Sequence, residues 1–258
     1  MIQLIYADGY GSVKADKAKR LEWLNRGIES NEDECMCTMA ILCTAGDRDS
    51  TYKSIYNPQR AVELLKKASR HGSGEAYYLL GNWYYNGEYL PKDDKKAFDN
   101  WEKAVELRSS EAASNLAYAY IEGVGCEKNE NKGIEIHKQA VEEGSGFSAT
   151  KLFYCYWAGT WGVKKDKELA KQYLFKAAEL NDAWGCFNLG KQYYMGNDLV
   201  NKDNSQAFVY IKKAADMGLV EACDALAYFY ENGIDVDKNP QKAKEYKDKT
   251  IANGEKKE

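Results

Sequence analysis

Three cysteines, Cys35, Cys37 and Cys43, fall within nine residues and could present three thiolates to one metal ion. A structural zinc site needs a fourth ligand and usually a C-x2-C knuckle. Here the spacing is C-x-C-x5-C, and His71 is the only histidine nearby in sequence. The expectation is therefore buried helical thiols, with no metal and no other cofactor. The remaining cysteines, Cys126, Cys155, Cys186 and Cys223, are dispersed, and seven is an odd number for a disulfide framework.

The other groups able to do chemistry are few. There are two histidines, His71 and His137, and neither has a Cys or Ser partner implied by spacing. His71 suits the last turn of a helix, where partial positive charge is favoured. His137 occupies an aromatic packing position. The glycine pairs in DGYGS, GVGC and GSGE lack the strand and the full G-x-G-x-x-G run of a phosphate cradle. Carboxylates are plentiful but interspersed with lysines, so no catalytic pair stands out. No catalytic residue is assigned, and the chain reads as a non-enzyme.

Bulk properties narrow the partners. The 258 residues carry a formal charge of -4 with no Lys/Arg block, which argues against nucleic acid or an anionic membrane as the main partner. No apolar run approaches the roughly 18 residues of a membrane span. The segment MIQLIYADGYGS lacks the basic region and long apolar stretch of a signal peptide. Reduced thiols and the lack of a leader in this numbering together give a cytoplasmic expectation.

What must position these residues is a repeat. Glycines recur at Gly9, Gly46, Gly87, Gly123, Gly159, Gly196 and Gly233, at spacings of 36 to 41 residues. Three residues before them stand Tyr6, Cys43, Tyr84, Tyr120, Tyr156, Tyr193 and Tyr230. Seven before stand Ile2, Met39, Leu80, Leu116, Leu152, Leu189 and Leu226. Eleven before, the residues are small: Cys35, Ala76, Ala112, Ser148, Gly185 and Ala222. These offsets share one helix face. A second landmark comes after each glycine, at Gly27, Ala68, Ala104, Ala140, Ala177, Ala214 and Thr250, inside amphipathic segments such as KAFDNWEKAVEL. Gly72, Gly144 and Gly218 are placed to end second helices, and Ser73 and Ser145 to cap the next first helices. Each unit is helix, loop, helix, and one such hairpin must stack on neighbours to bury its faces.

The Ala-x3-Leu-Gly/Ala-x2-Tyr-x2-Gly run, the Lys/Asp-rich loop and the Ala-x6-Ala second helix resemble the Sel1-like repeat family, which is related to tetratricopeptide repeats. That resemblance implies an all-α, right-handed α/α superhelical solenoid of about six and a half repeats. The units are expected at approximately 1-31, 32-72, 73-108, 109-144, 145-181, 182-218 and 219-254, in a single solenoid over 1-254 with a charged tail at 255-258. Repeat one departs from the pattern, with about five extra residues within GDRDSTYKSIYNPQ and Cys43 in the tyrosine position. The family implies a bacterial scaffold or adaptor, a regulator, or a toxin-neutralising immunity protein. Some cysteine-rich relatives carry an inter-helix disulfide and are linked to β-lactam hydrolysis. Here the partner position reads Ala68, Ala104, Ala140, Ala177 or Ala214, so a hydrolase is the alternative rather than the main reading. A self-assembling protein, or a homodimer through the incomplete first repeat, is a further alternative.

The stretch AYYLLGNWYYNG, residues 76 to 87, shows where a partner would dock. Ala76, Leu80, Trp83 and Tyr84 belong to the packing stripe. Tyr78 and Tyr85 fall nearly opposite it, at 100° per residue. Along successive repeats that opposite face reads Tyr78, Tyr85, Tyr118, Ile121, Phe147, Tyr154, Trp157, Trp184, Phe187, Tyr194 and Tyr228. A face meeting only water would be polar, and aromatic anchors mark partner surfaces. The resemblance puts first helices on a concave surface, so these residues are expected to bind a protein or peptide in that groove. Glu75, Glu111, Ser114, Lys191, Glu221, Asp224 and Glu231 are expected as its polar rim.

Overall fold

Helix starts in this chain are written by short polar side chains. Asp16, Asn57, Ser73, Asp93, Ser145, Asp166, Asp182 and Asp203 are each N-caps whose side-chain oxygen accepts the N–H three residues on. Helix ends are written by glycine. Gly87, Gly123, Gly159 and Gly233 close first helices in the left-handed region, at φ +71°, +78°, +71° and +67°.

The structure is a computed structural model and describes residues 16–45 and 50–254. The described residues form thirteen α-helices and no strand. They are α1 Lys17–Glu29, α2 Asp33–Ala45, α3 Pro58–Arg70, α4 Gly74–Asn86, α5 Asp94–Glu106, α6 Ser110–Glu122 and α7 Glu130–Glu142. They continue with α8 Gly146–Ala158, α9 Lys167–Glu179, α10 Ala183–Met195, α11 Asn204–Asp216, α12 Val220–Asn232 and α13 Pro240–Gly254. A 3-10 turn, Ser50–Ile55, takes up the extra length between α2 and α3. None of these helices is long and apolar enough to cross a membrane. The expected landmarks Ile2, Tyr6, Gly9 and Gly46, residues 1–15 of the incomplete first repeat expected at a homodimer contact, and the 255-258 tail lie outside the described residues.

Two backbone hydrogen bonds set the repeat. Within a hairpin, the N-cap N–H of the second helix donates to the carbonyl three residues before the anchor glycine. Asn57 donates to Cys43, Asp93 to Tyr84, Asn129 to Tyr120, Asp166 to Tyr156, Asp203 to Tyr193 and Asn239 to Tyr230, at 2.7–2.9 Å. Between hairpins, the N-cap N–H of the next first helix donates to the second landmark. Glu32 donates to Gly27, Ser73 to Ala68, Ser109 to Ala104, Ser145 to Ala140, Asp182 to Ala177 and Leu219 to Ala214. The landmarks are thus the points where one helix's orphan carbonyl meets the next helix's orphan amide.

Two compact units divide the chain, residues 1–129 and 130–258. In the first, Leu24, Met36, Met39, Leu65, Ala68, Leu80 and Trp83 form the core under α1 to α4. Gly81 lets Trp101 of α5 lie against α4, and the indole N–H donates to Asn82 at 3.0 Å. In the second, Leu152, Leu174, Leu189, Ile211, Leu226 and Phe229 are fully or nearly fully buried. Parallel ring stacks join the two helices of each hairpin there, Tyr156 on Tyr173, Tyr193 on Tyr210 and Tyr230 on Tyr246, with centroids 5.7–5.9 Å apart. Three landmarks are less enclosed than the repeat pattern implies. Tyr84 and Tyr193 are half-buried because their rings lie at the hairpin edge, and Thr250 is half-buried beside Asp224, which accepts its hydroxyl hydrogen.

Loop glycines differ in what their missing side chain avoids. A Cβ on Gly125 would sit 2.0 Å from the Asp94 carbonyl oxygen, whereas one on Gly144 meets nothing within 4 Å. Both have positive φ. Gly144→Ala should cost about 1–2 kcal/mol from backbone conformation alone. Gly125→Ala should cost at least about twice that, because backbone must also move. Urea unfolding followed by helical circular dichroism checks this, and equal losses would refute the contact.

Candidate docking face

The first helices of the second unit, α8, α10 and α12, carry rings on the side away from their hairpin partners. Phe147, Tyr154, Trp157, Trp184 and Tyr228 are 46, 42, 38, 40 and 48% exposed. In the first unit Tyr118 joins them at 43%. Among the described residues, Tyr56 is the only other aromatic side chain as exposed as these. Sequence periodicity therefore located six of the seven exposed aromatic rings among the described residues.

The other five positions sit deeper. Tyr78, Tyr85 and Tyr194 are half-buried. Ile121 and Phe187 are buried, at 2 and 9% exposure, and do not line the surface as the face reading expected. Phe187 turns under Trp184, with ring centroids 6.0 Å apart at 72°. It supports the exposed indole rather than meeting solvent. Tyr194 leans on Phe229 at 5.4 Å in the same way. Of the expected rim, Glu75, Glu111, Lys191, Glu221 and Asp224 are exposed, and Ser114 and Glu231 are half-buried.

Polar contacts fix the exposed rings. Asn188, which periodicity did not single out, donates to the Tyr154 hydroxyl at 2.6 Å and to the Trp184 carbonyl at 2.8 Å. One amide thereby ties α8 to α10 across the face. In the first unit the Tyr85 and Tyr118 hydroxyls lie 3.2 Å apart, and that bond holds the Tyr118 phenol above its usual range. Two apolar side chains were also missed. Ile41 on α2 shares the repeat position of Tyr118, Tyr154 and Tyr228 and is 43% exposed, while Val209 lies exposed on α11.

The residues first considered for catalysis have structural surroundings. All seven cysteines are free thiols. Burial pushes Cys35 up to about 11, Cys37 to about 12 and Cys155 to about 11, so these thiols stay protonated and poorly nucleophilic. Cys186 and Cys223 occupy the same repeat position and donate to the Ala178 and Ala215 carbonyls at 3.7 and 4.0 Å. Among the described residues, no three His, Cys, Asp or Glu side chains converge as metal ligands. The His71 Nδ1 lies 2.9 Å from Asp33 Oδ1, joining the end of α3 to the start of α2. His137 is buried on α7, stacked 5.6 Å from Trp161, with Nδ1 at 3.1 Å from the Ser148 hydroxyl.

The Sel1 repeat model matches residues 4–32, 44–73, 74–109, 110–145, 147–182, 185–219 and 220–254, nearly the whole chain. The chain belongs to the Sel1 repeat family. The all-α solenoid that the resemblance implies is this family's architecture, with seven matched repeats where about six and a half are expected. A Sel1 repeat protein from Oxalobacter formigenes is similar at 25% identity and a TM-score of 0.74, over 98% of this chain and 71% of that one. A protective antigen of uropathogenic Escherichia coli is similar at 25% identity and a TM-score of 0.68, over 98% of this chain. The present chain spans only 52% of that antigen's length. An immunity protein from Pseudomonas aeruginosa shares the fold at 20% identity and a TM-score of 0.55, over 76% of this chain and 74% of that one. No curated protein matches the sequence.

The buried histidine gives this Sel1 array a measurable pH dependence. Burial, with a smaller contribution from the nearby Lys151 charge, lowers His137 from 6.5 to about 4. The unfolded chain therefore binds a proton that the folded one refuses between those values. Stability from this site is complete above about pH 6.5 and is lost as pH falls to about 4, by about 3 kcal/mol. Urea unfolding of the protein and of His137→Phe from pH 7 to 4 should show the variant losing less stability by roughly that amount. Parallel pH profiles would contradict a buried neutral imidazole.

Proposed function

We propose that this Sel1 repeat protein is a non-catalytic binding module that docks a partner polypeptide on the aromatic face of α8, α10 and α12. The observation carrying this reading is the concentration of exposed rings on one repeat position set, where folding alone requires none. Large rings left in water cost free energy, of order 25 cal/mol per Å² of apolar surface, which a partner would recover. Trp and Tyr also suit such a surface, because they bury much area while losing few rotamers.

The surroundings of the cysteines and histidines support a binding role over a hydrolytic one. Burial raises the Cys35, Cys37, Cys43, Cys155, Cys186 and Cys223 thiols and lowers the His137 imidazole, so none of these is tuned as a nucleophile or base at neutral pH. The likeness to the Pseudomonas immunity protein is a likeness of fold, and this chain's own rings carry the proposal. Toxin neutralisation is one form that such binding would take.

Substituting Trp157→Ala together with Trp184→Ala tests the face. Both indoles are exposed, so helical content and the unfolding midpoint should stay near those of the parent protein. Partner affinity should fall by at least about 2 kcal/mol, roughly thirtyfold, as expected of central aromatic anchors. Affinity capture from the native cells, quantified by mass spectrometry against both proteins, provides the readout. Unchanged recovery of every partner by a folded variant would falsify this docking face.

A further inference from the structure

The docking face is chemically lopsided in a way that specifies its occupant. Helix α8 reads GFSATKLFYCYWA and α10 reads AWGCFNLGKQYYM, and neither contains a carboxylate. Their charged side chains are one lysine each, Lys151 and Lys191. By contrast, the first helices α2, α4, α6 and α12 all carry acidic residues, among them Glu34, Glu75, Glu111 and Glu221. These two helix bodies are free of carboxylates in a chain of net charge -4, and the carboxylate at their junction, Asp182, accepts the Thr150 hydroxyl hydrogen and the Gly185 N–H.

Both lysines are set within the rings rather than beside them. The Lys151 ammonium lies 4.7 Å from the Phe147 ring centroid, and the Lys191 ammonium lies 5.5 Å from that of Phe187. Neither forms an ion pair with a carboxylate among the described residues. On α12, Glu231 is already paired with Lys247 and Asp224 accepts the Thr250 hydroxyl hydrogen. A cation held against an aromatic face keeps its charge while shedding some water, so it is ready to receive an anion.

Resting on the docking reading above, we infer that the α8–α10 face takes an acidic polypeptide segment. Its apolar side chains meet Tyr154, Trp157 and Trp184, and its carboxylates pair with Lys151 and Lys191. Two point charges suit sparse carboxylates between apolar side chains. They are too few to track the closely spaced charges of a phosphate backbone or an anionic lipid surface.

The test uses fluorescein-labelled peptides of sequence (Asp-Leu-Phe)4, (Ser-Leu-Phe)4 and (Lys-Leu-Phe)4, titrated by anisotropy at low and high salt. Oligo-dT and phosphatidylserine vesicles serve as competing polyanions. The acidic peptide should bind about tenfold more tightly than the serine peptide at low salt, with the advantage shrinking as salt rises. Lys151→Gln with Lys191→Gln should erase that advantage, so that the acidic and serine peptides bind the variant equally. An acidic peptide no better than the serine one would overturn the inference. So would a preference that survives loss of both lysines, or binding to oligo-dT or vesicles in place of peptide. Serine-peptide binding that is lost in Trp157→Ala/Trp184→Ala would leave the docking face standing while the acidic preference fell. Failure of all three peptides would count against both.

Discussion

The N–H of each N-cap residue holds this fold together by closing the preceding helix. Twice per repeat it reaches back to a carbonyl left without an intrahelical partner, once across the hairpin loop and once between hairpins. At Asn57, Ser73, Asp93, Ser145, Asp166, Asp182 and Asp203 the cap side chain also accepts an N–H of the next helix. Such a junction demands a small, closely packed residue at the second landmark, which is why Ala68, Ala104, Ala177 and Ala214 are fully enclosed. Gly185 shows how tight the junction is, since a Cβ there would lie 2.5 Å from that of Ala177. Even the longer connection after α2 preserves the bond, with Asn57 donating to Cys43 at 2.9 Å.

With the repeat held by backbone and by the inward stripe, the exposed positions on the far side of each first helix are free of folding duty. That freedom is where repeats differ from one another. At one repeat position the chain places Glu34, Glu75, Glu111, Phe147, Trp184 and Glu221 in succession. The acidic members in the first unit feel one another, and Glu75 is raised by burial and then by Glu34 and Glu111. On α8 and α10 the same position becomes aromatic before Glu221 restores a carboxylate on α12, and Asn188 and Phe187 hold the exposed rings in place. A fixed frame thus presents a face whose chemistry changes from helix to helix.

Periodicity made the fold legible because each landmark answers to one geometric need. The small residue, the Leu and the Tyr lie on one face, the glycine adopts positive φ, and Asp, Asn or Ser caps most of the following helices. The candidate face was legible more coarsely. A helical wheel gives direction but not depth, so it could not separate exposed Trp184 from Phe187 three residues later, which tucks beneath it. Nor could it find Asn188, whose role depends on a neighbouring helix, or Ile41, whose repeat position matches Tyr154 without an aromatic side chain to draw notice. Six of the seven cysteines, all but the loop residue Cys126, were legible as buried helical thiols, but the shared carbonyl contact of Cys186 and Cys223 required coordinates.

The central claim is that the outer face of α8 and α10 is where another polypeptide sits. Site-specific photo-crosslinking in the native cells tests it most directly. A benzophenone side chain would replace Trp157, Trp184 or, as a control on the second helices, the exposed Val209. The account predicts crosslinked adducts of one mass from positions 157 and 184 and none of that mass from 209. Adducts from 209 alone, or the same adducts from all three positions, would contradict it.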